Sequence, residues 1–276
     1  MLLNILQFLA GMIFLYFGAE FLIKGSKTVA SKCNISSIVI GMTLVALGTS
    51  LPELIVSIIA NIRGEPGMAI GNVIGSDVAN IGFVLGITAI LSPIYFPYAQ
   101  IRYDMYFLIG ITFLPLWFIF IGGLILWQGI ALLLVLIIYC VFLMKNHPLE
   151  YKENNFTADK NNYLLMIQVL TGIIGLGVGS ILFVESAKGI AQTLGISSLV
   201  IGMSIVALGT SLPELAASLS AVKHGETSFV IGNIIGSNIM NIVLVLGSTI
   251  LFSNIPTEFA DIITPGFFML AMTVGL

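Results

Sequence analysis

The sequence predicts an all-helical, multi-pass membrane protein, on three observations. Of the 276 residues, 58% are hydrophobic and only 8% charged, against about 25% charged in an average soluble domain. Mean hydropathy is +1.10, and apolar runs of about 20 residues, the length that crosses a bilayer, recur from Leu2 to Leu276. The third observation is an internal duplication that divides the chain into two similar halves. Together they exclude an ordinary soluble enzyme. A net charge of −3 with ten dispersed Lys and Arg predicts no nucleic-acid partner. Two cysteines, Cys33 and Cys140, make neither a disulfide framework nor a zinc site and read as packing residues.

Taken in order, polar breaks delimit nine candidate spans near residues 3–23, 37–61, 68–91, 103–121, 124–144, 163–184, 198–222, 228–252 and 260–276. The first has no basic leader and no small-residue cleavage pattern, so it reads as a true span and not a signal peptide. After the fifth comes the one distinctly polar loop. The expected organisation is a first half at 1–144, a solvated linker at 145–162 and a second half at 163–276. With nine spans, one set of loops carries Lys24, Lys27, Lys32, Arg102, Lys145, Lys152, Lys160 and Lys223, and the other only Arg63 and Lys188. The positive-inside rule makes the richer side, linker included, cytoplasmic and puts the N-terminus outside.

Residues Ile40–Leu54 (IGMTLVALGTSLPEL) match Ile201–Leu215 (IGMSIVALGTSLPEL), and Ile70–Asn80 (IGNVIGSDVAN) matches Ile231–Asn241 (IGNIIGSNIMN), both pairs 161 residues apart. Each half thus carries one such block, at about 37–91 and 198–252. Equivalent helices are five spans apart, and an odd number reverses direction. The halves are therefore expected to be inverted five-helix repeats, an arrangement that in secondary transporters sets the substrate site near the midplane.

Both blocks place Gly-Thr-Ser-Leu-Pro-Glu in the middle of an apolar span. A charged group at a helix centre costs about 2.5–3.5 kcal/mol on insertion scales. Glu53 and Glu214 therefore need a partner, and with no intramembrane Lys or Arg nearby, a proton or a metal cation is the natural one. Pro52 and Pro213 have no N–H for the carbonyls of Gly48 and Gly209, which predicts broken helices with backbone oxygens freed toward a cavity. Thr49 and Ser50 share a helical face with Glu53, and Thr210 and Ser211 share one with Glu214. Ser76 and Asn80, like Ser237 and Asn241, lie four residues apart on one helical side. Converged, these groups make an all-oxygen set suited to hard cations such as Ca²⁺ or Na⁺ and poor for Zn²⁺ or Cu⁺. The competing structural reading is that hydroxyls bond back to carbonyls or glue helices, and that the Gly71–Gly75 and Gly232–Gly236 runs merely allow close packing. It is weakest for the two glutamates, since packing alone does not offset a buried acid.

The paired GTSLPE motifs, each followed by GN-x-x-GS-x-x-x-N, resemble the alpha repeats of the sodium/calcium exchangers of the cation/calcium exchanger superfamily. The resemblance implies an antiporter in which an inward Na⁺ gradient drives Ca²⁺ outward by alternating access, with no cofactor besides the transported ions. It implies Glu53 and Glu214 as central ion ligands, surrounded by Thr49, Ser50, Ser76, Asn80, Thr210, Ser211, Ser237 and Asn241, with backbone carbonyls from Ala46 and Ala207. It also implies that the first and sixth helices slide as a unit over the core, for which Gly11, Gly18, Gly172, Gly175 and Gly179 would form a smooth face. Relatives of this type have ten spans, so a tenth helix is expected beyond the nine visible. Asn80 and Asn241 are both neutral here, which leaves the core charge on the two glutamates. Asp77, whose counterpart is Asn238, points about 100° away from Ser76 and reads as a helix-start or interface residue and not a ligand.

With both glutamates ionised, the empty site carries −2; one Ca²⁺ or two Na⁺ neutralise it, and three Na⁺ leave +1. The cost of carrying uncompensated charge through an occluded state would enforce exchange. A Ca²⁺/H⁺ or other cation/proton antiporter using the same residues remains open. A channel would need no inverted repeat. An intramembrane enzyme with Ser50 or Ser211 as nucleophile lacks a base, because His147 and His224 fall in loops. The expected partners are the ions and the lipid bilayer, with a monomer as the expected state and the plasma (inner) membrane as its location.

Overall fold

The computed structural model describes residues 1–94, 98–146, 162–195, 207–256 and 259–276, with backbone alone at 144–146, 207 and 259–261. Among them there is no β-sheet, only one isolated bridge between Leu124 and Ile255. The helices are α1 (Leu2–Cys33), a broken pair α2 (Ser37–Thr49) and α3 (Leu51–Ile62), α4 (Pro66–Leu91), α5 (Tyr98–Phe120), α6 (Leu126–Asn146), α7 (Asn162–Thr193), α8 (Leu212–Lys223), α9 (Thr227–Phe252) and α10 (Phe259–Gly275). Six of them are long and apolar enough to cross a membrane, or seven if the α2/α3 pair is one span. The central linker lies almost wholly outside the described residues, as does the first part of the seventh candidate span.

Local chemistry sets the boundaries. Asn34, at φ 51°, closes α1 in the left-handed conformation, with Lys32 in the last turn where the helix dipole favours a cation. The Ser36 hydroxyl accepts from the Val39 N–H to start α2. Pro66 occupies the first turn of α4, where a missing N–H is harmless. The chain leaves α5 through Gly122 and Gly123, both at positive φ.

α1 and α7, 32 residues each, are about 48 Å long at 1.5 Å per residue and so exceed a 30 Å hydrocarbon layer, which calls for tilt. Both run about ten residues past the span that hydropathy delimits. They pack antiparallel: Lys32 near the end of α1 donates to Asn162 at the start of α7 at 2.9 Å, and the Phe8 and Phe183 rings meet tilted, with centroids 4.4 Å apart. Glycine makes the contact close. A Cβ on Gly18 would fall 2.7 Å from the Leu176 nitrogen, one on Gly172 2.5 Å from the Leu22 nitrogen, and one on Gly179 2.7 Å from the Leu15 nitrogen. The expectation that Gly11, Gly18, Gly172, Gly175 and Gly179 face the core as a sliding surface is thus corrected. They face one another and hold α1 and α7 backbone to backbone, because small residues are what let membrane helices approach.

α2 crosses α9 in the same fashion. A Cβ on Gly232 would lie 2.5 Å from the Ile38 oxygen, and one on Gly236 2.5 Å from the Met42 Cα. Around this crossing lies the main apolar core, with Met42, Val73, Leu108, Leu132, Tyr139, Ile239, Ile242 and Val243 all buried. Cys33 departs from its reading as a packing residue: it sits exposed at the end of α1, while Cys140 is half-buried.

Candidate functional site

Each half breaks a helix at the same motif. α2 and α3 meet at Ser50 with a bend of 44°, and Ser50 (φ −85°, ψ 4°) has a near-twin in Ser211 (φ −85°, ψ 6°) ahead of α8. Pro52 and Pro213 follow in the first turn, where their lack of an N–H breaks the ladder that would continue the preceding helix. The freed carbonyls do not both open to a cavity. Gly209, left without its donor by Pro213, accepts the Ser180 hydroxyl of α7 at 2.8 Å. A buried carbonyl demands a donor, and here the neighbouring helix supplies it.

Glu53 and Glu214 open the helices after the breaks, and both are fully buried. Both Glu53 carboxylate oxygens and Glu214 Oε2 lack a hydrogen-bond partner among the described residues. Each carboxylate faces hydroxyls, including those of the other half: Thr210 and Ser76 beside Glu53, and Thr49, Ser50 and Ser237 beside Glu214. Ser50 Oγ donates to Glu214 Oε1 at 3.4 Å. Thr49 Oγ1 lies 3.3 Å from each of Ser237 Oγ, Asn233 Oδ1 and the Ala46 carbonyl, and Ser76 Oγ lies 3.5 Å from Thr210 Oγ1. The candidate residues therefore converge in two cross-linked groups, Glu53 with Ser76 and Thr210, and Glu214 with Thr49, Ser50 and Ser237.

Other candidates stand apart in detail. Ser211 Oγ is buried without a partner among the described residues. The Ala46 carbonyl accepts the Ser50 N–H at 3.0 Å and faces Thr49 Oγ1. Ala207 begins a three-residue helical turn, Ala207–Gly209, whose preceding residues lie outside the description. Asn80 and Asn241 are fully buried on α4 and α9, and each starts a π-helical stretch, Asn80–Leu85 and Asn241–Leu246. Such widened turns are frequent at functional sites.

Asp77 is not at a helix start. It sits inside α4, fully buried, and its Oδ1 accepts from Asn241 Nδ2 at 3.0 Å. Asp77 thus adds a fully buried acid to the two glutamates. Asp77 is an interface residue: its side-chain and main-chain oxygens meet Asn241 and Asn238 of α9.

Two further residues escaped the choice of candidates. Asn72 donates to the Glu53 main-chain oxygen at 3.1 Å and to Ser57 Oγ at 2.9 Å. Asn233, 161 positions on, makes the same pair of contacts, to the Glu214 main-chain oxygen at 3.3 Å and Ser218 Oγ at 3.2 Å. Each pins the start of the helix that carries the glutamate. Both stand in the repeated GN dipeptide, and their recurrence was the available signal.

Away from the pocket, Glu20 of α1 gathers Lys24 at 2.9 Å, Lys223 at 2.9 Å and His224 at 3.1 Å, and Lys27 pairs with Glu226 at 2.6 Å. These contacts tie the end of α1 to the α8–α9 turn. His224 thus lies at an ion-pair cluster, and His147 is outside the described residues.

Long apolar helices around a buried pocket of carboxylate, hydroxyl and amide oxygens define an integral, multi-pass membrane protein with a polar interior. The sequence matches the family described as sodium/calcium exchanger protein over residues 3–145 and 164–276, and the chain belongs to that family. Among relatives, an uncharacterised membrane protein of Methanocaldococcus jannaschii is 42% identical over 94% of this chain and 85% of its own. The sodium/calcium exchanger MaX1 of Methanosarcina acetivorans is 35% identical over 90% of this chain and 83% of its own. A solved structure of the sodium-calcium exchanger NCX_Mj, soaked with Na⁺ and Sr²⁺, superposes with a TM-score of 0.83 at 38% identity, covering 99% of this chain and 89% of that one.

Proposed function

We propose that the chain is a secondary active antiporter that exchanges Na⁺ for Ca²⁺ across the membrane by alternating access, with the ions held near the midplane by Glu53, Glu214 and the oxygens around them. The observation that carries this reading is the pair of fully buried glutamates. Three of their four carboxylate oxygens have no partner among the described residues, in a pocket walled by hydroxyls from both halves. Unsatisfied buried carboxylates cost several kcal/mol each, and a hard cation with six to eight oxygen ligands satisfies them. Thr49, Ser50, Ser76, Asn80, Thr210, Ser211, Ser237 and Asn241, with the Ala46 and Ala207 carbonyls, are the proposed remaining ligands. The relatives named as exchangers support the choice of ions.

Ions are substrates in this reading, and neither catalysis nor a cofactor is required. Inverted repeats, 1–144 and 163–276 joined by a cytoplasmic linker, follow from the sequence offset and are supported by the antiparallel packing of α1 on α7. The N-terminus lies outside, in keeping with the basic side to which Lys24, Lys27, Lys32 and Lys223 belong, and the protein works as a monomer in the plasma membrane. Two ionised glutamates are neutralised by one Ca²⁺ or by two Na⁺, so both loaded forms can cross the occluded state that the empty carrier cannot.

The test is ⁴⁵Ca²⁺ uptake into proteoliposomes of the purified protein, loaded with Na⁺ and diluted into Na⁺-free or Na⁺-equal buffer. Uptake that needs the outward Na⁺ gradient supports the reading. Uptake that ignores Na⁺ but follows a pH gradient replaces the coupling ion with H⁺ and leaves the site intact.

A further inference from the structure

Four buried side chains couple the two halves immediately beside the pocket. Asn241 Nδ2 donates to Asp77 Oδ1 at 3.0 Å, Asn238 Nδ2 to the Asp77 main-chain oxygen at 3.3 Å, and Asn80 Nδ2 to Asn238 Oδ1 at 3.0 Å. Positions 77 and 238 are repeat mates, as are 80 and 241, so each half's residue at the first position holds the other half's asparagine. The amide oxygens of Asn80 and Asn241 and the Asp77 Oδ2 are buried and have no partner among the described residues.

An asparagine amide has a donating end and an accepting end, and which way it points is set by its neighbours. An ionised carboxylate and a main-chain carbonyl only accept. Asp77 presents one side-chain oxygen and its main-chain oxygen, and both accept. Its carboxylate obliges Asn241 to present its NH₂, which turns the Asn241 oxygen the other way. Its carbonyl obliges Asn238 to present its NH₂, which leaves the Asn238 oxygen to face Asn80. Asn80 must then offer its own NH₂, and its oxygen too is turned away. We propose that Asp77 is a positioning residue, whose side-chain and main-chain oxygens together orient Asn241, Asn238 and Asn80 so that one amide oxygen from each half faces the ion pocket. The inference rests on the ion-binding reading given above and adds to it a determinant outside the ligand set.

The experiment compares Asp77→Asn, Asp77→Leu, Asn241→Leu and the Asp77→Leu/Asn241→Leu double variant by equilibrium ⁴⁵Ca²⁺ binding to the purified protein and by Na⁺-gradient-driven ⁴⁵Ca²⁺ uptake. Asp77→Asn keeps an acceptor oxygen and is expected to stay within about threefold of wild-type affinity, whereas Asp77→Leu, which leaves the Asn241 amide without its acceptor, weakens Ca²⁺ binding by about tenfold or more. The double variant is expected to be no weaker than Asn241→Leu alone, since Asp77 acts on the ion through Asn241. Independent, multiplying losses, or Asp77→Asn falling as far as Asp77→Leu, would overturn the proposal by making the charge itself the contribution. Should Asp77→Leu not fold, Asn238→Leu paired with Asn80→Leu asks the same question in the other half, with the same criterion. Wild-type protein that binds Ca²⁺ without Na⁺-dependent flux overturns the transport reading and leaves the positioning test intact. Wild-type protein that binds no Ca²⁺ overturns both.

Discussion

At the residue scale the account rests on Glu53 and Glu214, fully buried acids with three of their four carboxylate oxygens unpartnered among the described residues. Glu53→Gln or Glu214→Gln is expected to abolish Ca²⁺ uptake, measured as ⁴⁵Ca²⁺ flux, while leaving the protein folded, since glutamine keeps the shape and removes the charge. Protons compete for the same carboxylate oxygens, so acidification is expected to inhibit uptake, and uptake unchanged down to about pH 5 contradicts a proton-competed site. Asn72 and Asn233 act on the glutamates through the backbone. Asn72→Ala removes its hydrogen bonds to the Glu53 carbonyl and Ser57 Oγ, a loss of about 0.5–1.5 kcal/mol per bond, to be read as a lower thermal midpoint in detergent. The residues that converge around the two glutamates are legible because acids, prolines and hydroxyls stand out in apolar helices and recur at one offset. The asparagine clamps and Asp77 are not, because one sequence position does not say what lies across the helix interface.

Individual helices show where hydropathy stops being informative. The bend at Ser50 follows from Pro52, and the asymmetry at Gly209 from Ser180, a hydroxyl whose repeat mate is Ala19. Whether a freed carbonyl reaches the pocket thus depends on a helix that the motif does not contain. Glycines along α1 and α7 were visible as a stripe, yet a stripe does not name its partner, and the partner is the other stripe. Gly172→Val is therefore expected to force the pair apart, since even one Cβ there meets the Leu22 backbone. Overpacking of this kind costs about 1–3 kcal/mol, which a lower unfolding temperature in detergent would register. No such loss would place the two helices farther apart than described. Glu20 and Glu226, gathering Lys24, Lys27, Lys223 and His224, attach the end of this pair to the α8–α9 turn.

For the whole molecule, composition alone sufficed for a helical membrane protein, and the repeat offset for two related halves that meet at shared polar groups. The relative directions of the halves and the sidedness of the chain follow from span counting and basic residues, which makes them testable with a native probe. Cys33 is exposed at the end of α1 beside Lys32. In a Cys140→Ser background, a membrane-impermeant maleimide is expected to label it only after cells are permeabilised. Labelling of intact cells would invert the topology. The central claim is coupled exchange at a two-glutamate site, and the measurement that bears on it most directly is ⁴⁵Ca²⁺ uptake into Na⁺-loaded proteoliposomes, with and without an outward Na⁺ gradient, for wild type, Glu53→Gln and Glu214→Gln. Uptake that depends on the gradient and disappears in both variants is the expected result. Gradient-independent uptake, or full uptake in either variant, would contradict it.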